Sequence, residues 1–185
     1  MSYEKLVKPT KAMVYWEKIK LLAFDCDGVL TDGRIIYDSA GGESKNFSAQ
    51  DGLGFMLLWG TDIQTAVITG RESDLLKRRC QDLRISHLFQ KIPNKLQIAQ
   101  GLLKELGLGF NNMLFMGDDW NDIPLMNRAA VSVCPANAPE SVKALCDVVT
   151  KAKGGHGAVR ECIEYVLTRK GIFEEAVLKY LARLS

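Results

Sequence analysis

Short apolar runs alternate along the chain with longer stretches whose apolar positions recur at helical spacing. That alternation predicts a parallel sheet covered by helices. The runs are Leu21–Phe24, Thr65–Ile68, a weaker one at His87–Phe89, Met113–Met116, Val131–Val133 and Val148–Val149. Between them, Glu72–Leu83, Asn94–Leu106, Asn121–Ala129 and Pro139–Leu145 are predicted helices, with Gly107 and Gly109 marking the end of the second. The segment Arg34–Phe47 differs, because two short polar-apolar stretches flank Ser39-Ala40-Gly41-Gly42 and predict a β-hairpin. A helix is expected over Gly52–Trp59, and two more at the C-terminus, Gly157–Arg169 and Phe173–Leu184. In the last, Phe173, Val177, Tyr180, Leu181 and Leu184 share a face that predicts packing on the core or on a partner. The expected fold is therefore α/β: a doubly wound parallel sheet with an inserted hairpin and no cap domain.

Composition narrows the class. At 185 residues, 47% of them hydrophobic, the chain suits one domain over residues 1–185. The net charge of +2 gives no broad basic field, so no nucleic acid is expected as partner. No apolar stretch approaches the ~18–20 residues that span a bilayer, and Met1–Lys20 lacks the h-region of a signal peptide. Five scattered cysteines without a Cys-x-x-Cys pair predict reduced, core-filling thiols. A cytoplasmic protein without a membrane partner is expected.

Open α/β sheets bind ligands beyond the carboxyl ends of their strands, and here those ends are rich in chemistry. Leu21–Phe24 is followed by Asp25-Cys26-Asp27-Gly28-Val29-Leu30-Thr31-Asp32-Gly33, Thr65–Ile68 by Thr69-Gly70-Arg71, and Met113–Met116 by Gly117-Asp118-Asp119-Trp120-Asn121-Asp122. Lys95 opens the Asn94–Leu106 helix. Carboxylates gathered in one crevice stay ionised only if a cation offsets their repulsion, and oxygen ligands at this density favour a hard ion such as Mg²⁺. A metal, a lysine and a Thr-Gly turn together suit a phosphoryl group. One aspartate can then act as nucleophile and a second as general acid and base. Each feature alone has a plainer explanation: a surface Asp-x-Asp, a turn at Thr69-Gly70-Arg71, a helix cap at Asp118, a solvated Lys95. Their joint occurrence, in order and each at the right end of its element, is what carries the chemistry.

These segments resemble the four motifs of the haloacid dehalogenase superfamily. With Lys45-x-Phe47, Asp51-Gly52-Leu53-Gly54 and Gly154-Gly155-His156-Gly157-Ala158-Val159-Arg160-Glu161, residues 18–170 resemble its 3-deoxy-D-manno-octulosonate 8-phosphate phosphatases. The resemblance implies that Asp25 attacks phosphorus and that Asp27 protonates the leaving oxygen and later activates water. It implies that Mg²⁺ is held by the Asp25 and Asp118 side chains and the Asp27 carbonyl, with Asp122 and Asp119 behind them. Thr69 and Lys95 would hold the phosphoryl oxygens; Thr31, Gly70 and Arg71 would lie at the substrate, Arg71 matching its carboxylate. The substrate implied is a small phosphorylated sugar acid of eight carbons, or alternatively a nine-carbon sialic or deaminoneuraminic acid phosphate. A non-catalytic oligomerisation module, like that fused to some acylneuraminate cytidylyltransferases, and a response-regulator receiver are the rivals from other classes. Against the first stand the intact acids and lysine, and against the second stands Asp27.

Forty-one residues separate Asp27 from Thr69 and twenty-two separate Lys95 from Asp118, too few for a cap domain beside the elements already placed. A neighbouring subunit is the natural lid. The resembling phosphatases are tetramers, so a homotetramer assembled through Arg34–Phe47 is expected. His156 stands where those phosphatases usually carry arginine. His87 and Cys26 are expected to be structural.

Overall fold

The computed structural model describes residues 14–184; most of the polar segment Met1–Lys20 lies outside them. Six strands form one parallel sheet: β1 (Leu21–Phe24), β4 (Gln64–Ile68), β5 (His87–Phe89), β6 (Met113–Met116), β7 (Val131–Cys134) and β8 (Val148–Val149). Between β1 and β4 come the hairpin strands β2 (Ile36–Tyr37) and β3 (Glu43–Ser44) and the helix α1 (Ala49–Leu58). The remaining helices are α2 (Asp74–Asp82), α3 (Lys95–Glu105), α4 (Ile123–Met126), α5 (Glu140–Lys143), α6 (Ala158–Arg169) and α7 (Phe173–Leu181).

The sheet order is β5-β4-β1-β6-β7-β8, with Leu21 in register with Gln64 on one side and Met113 on the other. The chain winds outward from β1 through β4 to β5, crosses back, and winds outward the other way through β6. That reversal beside β1 is the switch point at which such sheets open a crevice. β1, β6 and β7 are buried throughout, as expected where helices cover both faces. Leu22, Phe24, Leu114 and Met116 pack into a core with α1, α2, α6 and α7, while Leu21, Ala23, Met113 and Phe115 pack with α3, α4 and α5. Fully burying each such side chain contributes about 1.5–3 kcal/mol, so the central strand ends are firmly placed. α3 ends in a Schellman motif: Leu108 N–H donates to the Leu103 carbonyl and Gly107 N–H to that of Lys104.

Several elements are shorter than the sequence pattern predicts. α2 starts at Asp74 rather than Glu72 because Ser73 is extended, at φ −157° and ψ 127°, with its N–H on Gln90 Oε1 at 2.8 Å. α4 covers Ile123–Met126, not Asn121–Ala129, because Asp122 turns back to bind the loop before it. α5 is likewise trimmed to Glu140–Lys143 and α7 to Phe173–Leu181. α1 instead gains a turn, starting at Ala49 where Ser48 Oγ accepts from Asp51 N–H. Three of the five residues of the α7 stripe form a packing face: Phe173, Val177 and Tyr180 lie on the core, whereas Leu181 and Leu184 are 52% and 69% exposed. His87 meets Gln64, and the five cysteines are buried and in no disulfide, as expected. No helix among the described residues is long and apolar enough to cross a membrane.

Candidate active site

The ends of β1, β4 and β6 open onto a cleft of about 260 Å³ lined by Asp25, Asp27, Gly33, Thr69, Gly70, Arg71, Asp118, Asp119 and Asn121. Asp25 extends β1 by one step, its N–H donating to the Met116 carbonyl at 2.9 Å. The chain then turns tightly over Cys26–Leu30, closed by Thr31 N–H on the Cys26 carbonyl at 3.1 Å. Gly28 sits in this turn at φ +85°, and a Cβ there would lie 2.0 Å from Asp118 Oδ2. Glycine is therefore what lets the β1 turn approach the β6 acid. Gly154 presses on the same turn from behind, where a Cβ would lie 1.7 Å from the Gly28 carbonyl oxygen.

Lys95, at the first position of α3, crosses to the strand ends. Its Nζ is 2.8 Å from Asp25 Oδ1 and 2.6 Å from Asp122 Oδ1. Asp122 is fully buried, and its other oxygen accepts from the N–H groups of Asp118 and Asp119 at 2.9 and 3.3 Å. It braces both the lysine and the acidic loop. One oxygen each from Asp25, Asp118 and Asp122 lies within 4.8 Å of the others. Burial first, then the Asp122 charge, pushes Asp25 up to about 6 against the pull of Lys95. Burial, with the Asp25, Asp122 and Asp119 charges added, pushes Asp118 up to about 8. Burial also works against the Lys95 ammonium, but the Asp25 and Asp122 charges outweigh it and raise the lysine.

These carboxylates repel one another more than one ammonium offsets. The buried Asp25 Oδ1 has the Lys95 ammonium at 2.8 Å and no further partner. An oxygen-only cluster with an unpartnered lone pair fits a hard divalent cation.

A second group of charges lies beside the first. Asp27 Oδ1 is 2.5 Å from Lys45 Nζ and its Oδ2 is 3.5 Å from Arg71 Nε. Glu43 completes the ring, 3.3 Å from Arg71 and 3.7 Å from Lys45, and Tyr37 Oη accepts from Arg71 at 2.9 Å. Lys45 was visible in the sequence only as part of the Lys45-x-Phe47 resemblance, and no spacing rule linked it to Asp27.

The structure brings Asp25, Asp27, Thr69, Gly70, Arg71, Asp118 and Asp119 to the cleft, with Lys95 and Asp122 beneath it. Thr31 is placed otherwise. It is 1% exposed, its hydroxyl donates to the Cys26 carbonyl at 3.5 Å and accepts from Gly33 N–H at 3.3 Å, and it does not line the cleft. Its hydroxyl is engaged within the turn. His156 is exposed.

A sequence model of the haloacid dehalogenase-like hydrolases matches residues 63–162. The 3-deoxy-D-manno-octulosonate 8-phosphate phosphatase of Escherichia coli K12 is 41% identical over 160 residues, 86% of this chain and 85% of that one. The phosphatase of the same name from Haemophilus influenzae is 39% identical, over 84% of this chain and 86% of its own. Among solved structures, the Moraxella catarrhalis phosphatase in complex with magnesium, phosphate and KDO superposes with a TM-score of 0.86. It is 39% identical over 89% of this chain and 95% of its own. The cobalt-bound Haemophilus influenzae phosphatase gives a TM-score of 0.83 at 37% identity, over 88% and 98%.

Proposed function

The chain belongs to the haloacid dehalogenase-like hydrolases, and from that membership we propose that it hydrolyses 3-deoxy-D-manno-octulosonate 8-phosphate to the free sugar acid and phosphate. The observation that carries the reading is the cleft itself: Asp25, held against Lys95 and facing Asp118, with Asp27 two residues on and Thr69 opposite. Relatives about 40% identical over most of their length bear that activity in their names, which supports the choice of sugar.

In the first step an Asp25 oxygen attacks phosphorus, the phosphorus–sugar oxygen bond breaks, and Asp27 gives its proton to the departing oxygen. In the second, Asp27 takes a proton from water, whose oxygen attacks phosphorus. The aspartyl–phosphoryl bond breaks, returning Asp25 as carboxylate and releasing phosphate. Thr69 Oγ and the Gly70 N–H orient the phosphoryl oxygens, and Lys95 offsets their charge while holding Asp25 in line. Asp25 and Asp118 would hold Mg²⁺ with the Asp27 carbonyl, Asp122 orienting the set; the ion supplies charge neutralisation at the phosphoryl group. Arg71, at the cleft rim, has a planar fork suited to the substrate carboxylate.

The same reading takes the chain as one phosphatase domain that works as a homotetramer in the cytoplasm. Exposure of Ile35, Ile36 and Tyr37 on the hairpin supports assembly there, and five free thiols suit a reducing compartment. A monomer in sedimentation at working concentration would remove the assembly. Phosphate release tests the activity, measured with Mg²⁺ and with chelator on the eight-carbon acid phosphate, a nine-carbon sialic acid phosphate and hexose phosphates. Preference for the eight-carbon acid is expected. Preference for the nine-carbon one would keep the chemistry and change the substrate, and silence on all would leave the non-catalytic module.

A further inference from the structure

Lys45, behind Asp27, has no role in the steps above. Its side chain is only 3% exposed, and its ammonium is spent on Asp27 Oδ1 at 2.5 Å, with Glu43 farther off at 3.7 Å. A buried ammonium is costly unless paired, so the pairing with Asp27 is a fixed feature of the fold and no passing surface contact. With its side chain 3% exposed and its ammonium 2.5 Å from Asp27 Oδ1, Lys45 directs its charge at Asp27. The stretch that carries it is fastened to the turn that carries Asp27. Phe47 bridges to Thr31, and Asn46 Nδ2 donates to Asp32 Oδ2 at 3.1 Å. Lysine and aspartate are thus set on two tied segments, with one carboxylate oxygen held and the other turned toward Arg71.

We infer that Lys45 is a positioning residue for Asp27, fixing the carboxylate that serves the leaving group, so that the hairpin of the chain helps set its own proton transfer. The inference rests on the phosphatase reading above and adds a residue that acts through Asp27 alone. It has a signature that a merely structural lysine would lack. A sugar alkoxide must be protonated as it leaves, whereas p-nitrophenolate leaves without a proton. Misplacing Asp27 therefore harms alcohol release from the first substrate far more than from the second.

The test is single-turnover alcohol release, with Mg²⁺ present and enzyme in excess, from 3-deoxy-D-manno-octulosonate 8-phosphate and from p-nitrophenyl phosphate. For Lys45→Met, sugar release should fall by about tenfold or more, and p-nitrophenol release by less than about threefold. Both rates come from one sample, so a fraction of unfolded chain cancels in their ratio. The double variant Asp27→Asn/Lys45→Met removes both charges, so neither is left without the partner it has in the wild type. Its sugar release should match that of Asp27→Asn alone, because the two residues act as one unit. An unchanged ratio in Lys45→Met, or a double variant about tenfold slower than Asp27→Asn, would overturn the inference. Wild-type protein releasing neither alcohol would overturn the phosphatase reading beneath it.

Discussion

Two clusters of charge meet at one cleft and are built in opposite ways. Asp25, Asp118 and Asp122 with Lys95 sit on the ends of central strands and the first turn of a helix, and all but Asp118 are less than a tenth exposed. Asp27, Lys45, Glu43 and Arg71 form a ring half of which comes from a hairpin of two-residue strands, with Arg71 37% and Glu43 23% exposed. The first cluster has more negative charge than the chain can offset and is shaped to receive a cation. The second is balanced, two acids against two bases, and needs nothing added. The difference gives the strand ends the cation-receiving cluster and gives the hairpin the charges that pair with Asp27.

The largest expected effect lies in the first cluster. Asp25→Asn keeps the shape and removes the nucleophile, so phosphate release should fall by roughly three orders of magnitude or more with the far-ultraviolet circular dichroism unchanged. Turnover near wild type would end the assignment. Asp122→Ala comes next. Removing a fully buried acid that pairs with Lys95 and two backbone N–H groups should cost about 3–5 kcal/mol in urea unfolding. A loss below about 1 kcal/mol would show that the cluster is not a rigid brace.

Asp118→Asn sharpens the contrast in the opposite direction. It relieves repulsion from Asp25, Asp122 and Asp119, so the metal-free variant should unfold at a higher urea concentration than metal-free wild type. It should also lose most of the Mg²⁺-induced stabilisation, which for the wild type is about 2.7 kcal/mol at a hundred times the dissociation constant. A variant that still gains that stabilisation would place the ion elsewhere. The smallest effect belongs to the ring. Arg71→Gln removes a half-exposed member and should change stability by less than about 1 kcal/mol, while raising KM for the sugar acid phosphate. Unchanged KM would free Arg71 from substrate recognition.

The two clusters also differ in how far they could be read from sequence. Asp25, Thr69 and Asp118 follow apolar runs long enough to be recognised as strands, and a parallel sheet sends every such end to the same side. Lys95 follows from its place at a helix start. The hairpin gives no comparable signal. Its strands are two residues each, and nothing in the alternation of Arg34–Phe47 says which way it folds over the sheet, so the Lys45–Asp27 contact was hidden. Nor does the sequence show that the tight turn after Asp25 folds the Thr31 hydroxyl inward. On α7, helical spacing identified the apolar stripe. It could not show that the core ends beneath Tyr180, leaving Leu181 and Leu184 outside.

The central claim is that the buried cluster makes Asp25 a nucleophile. The most direct measurement is an acid quench of Asp27→Asn during turnover of p-nitrophenyl phosphate, whose leaving group needs no proton, with Mg²⁺, followed by peptide mass spectrometry. With water activation impaired, a phosphoryl group should be found on Asp25. Phosphate release with no phosphorylated Asp25, or a phosphoryl group on another residue, would contradict the account.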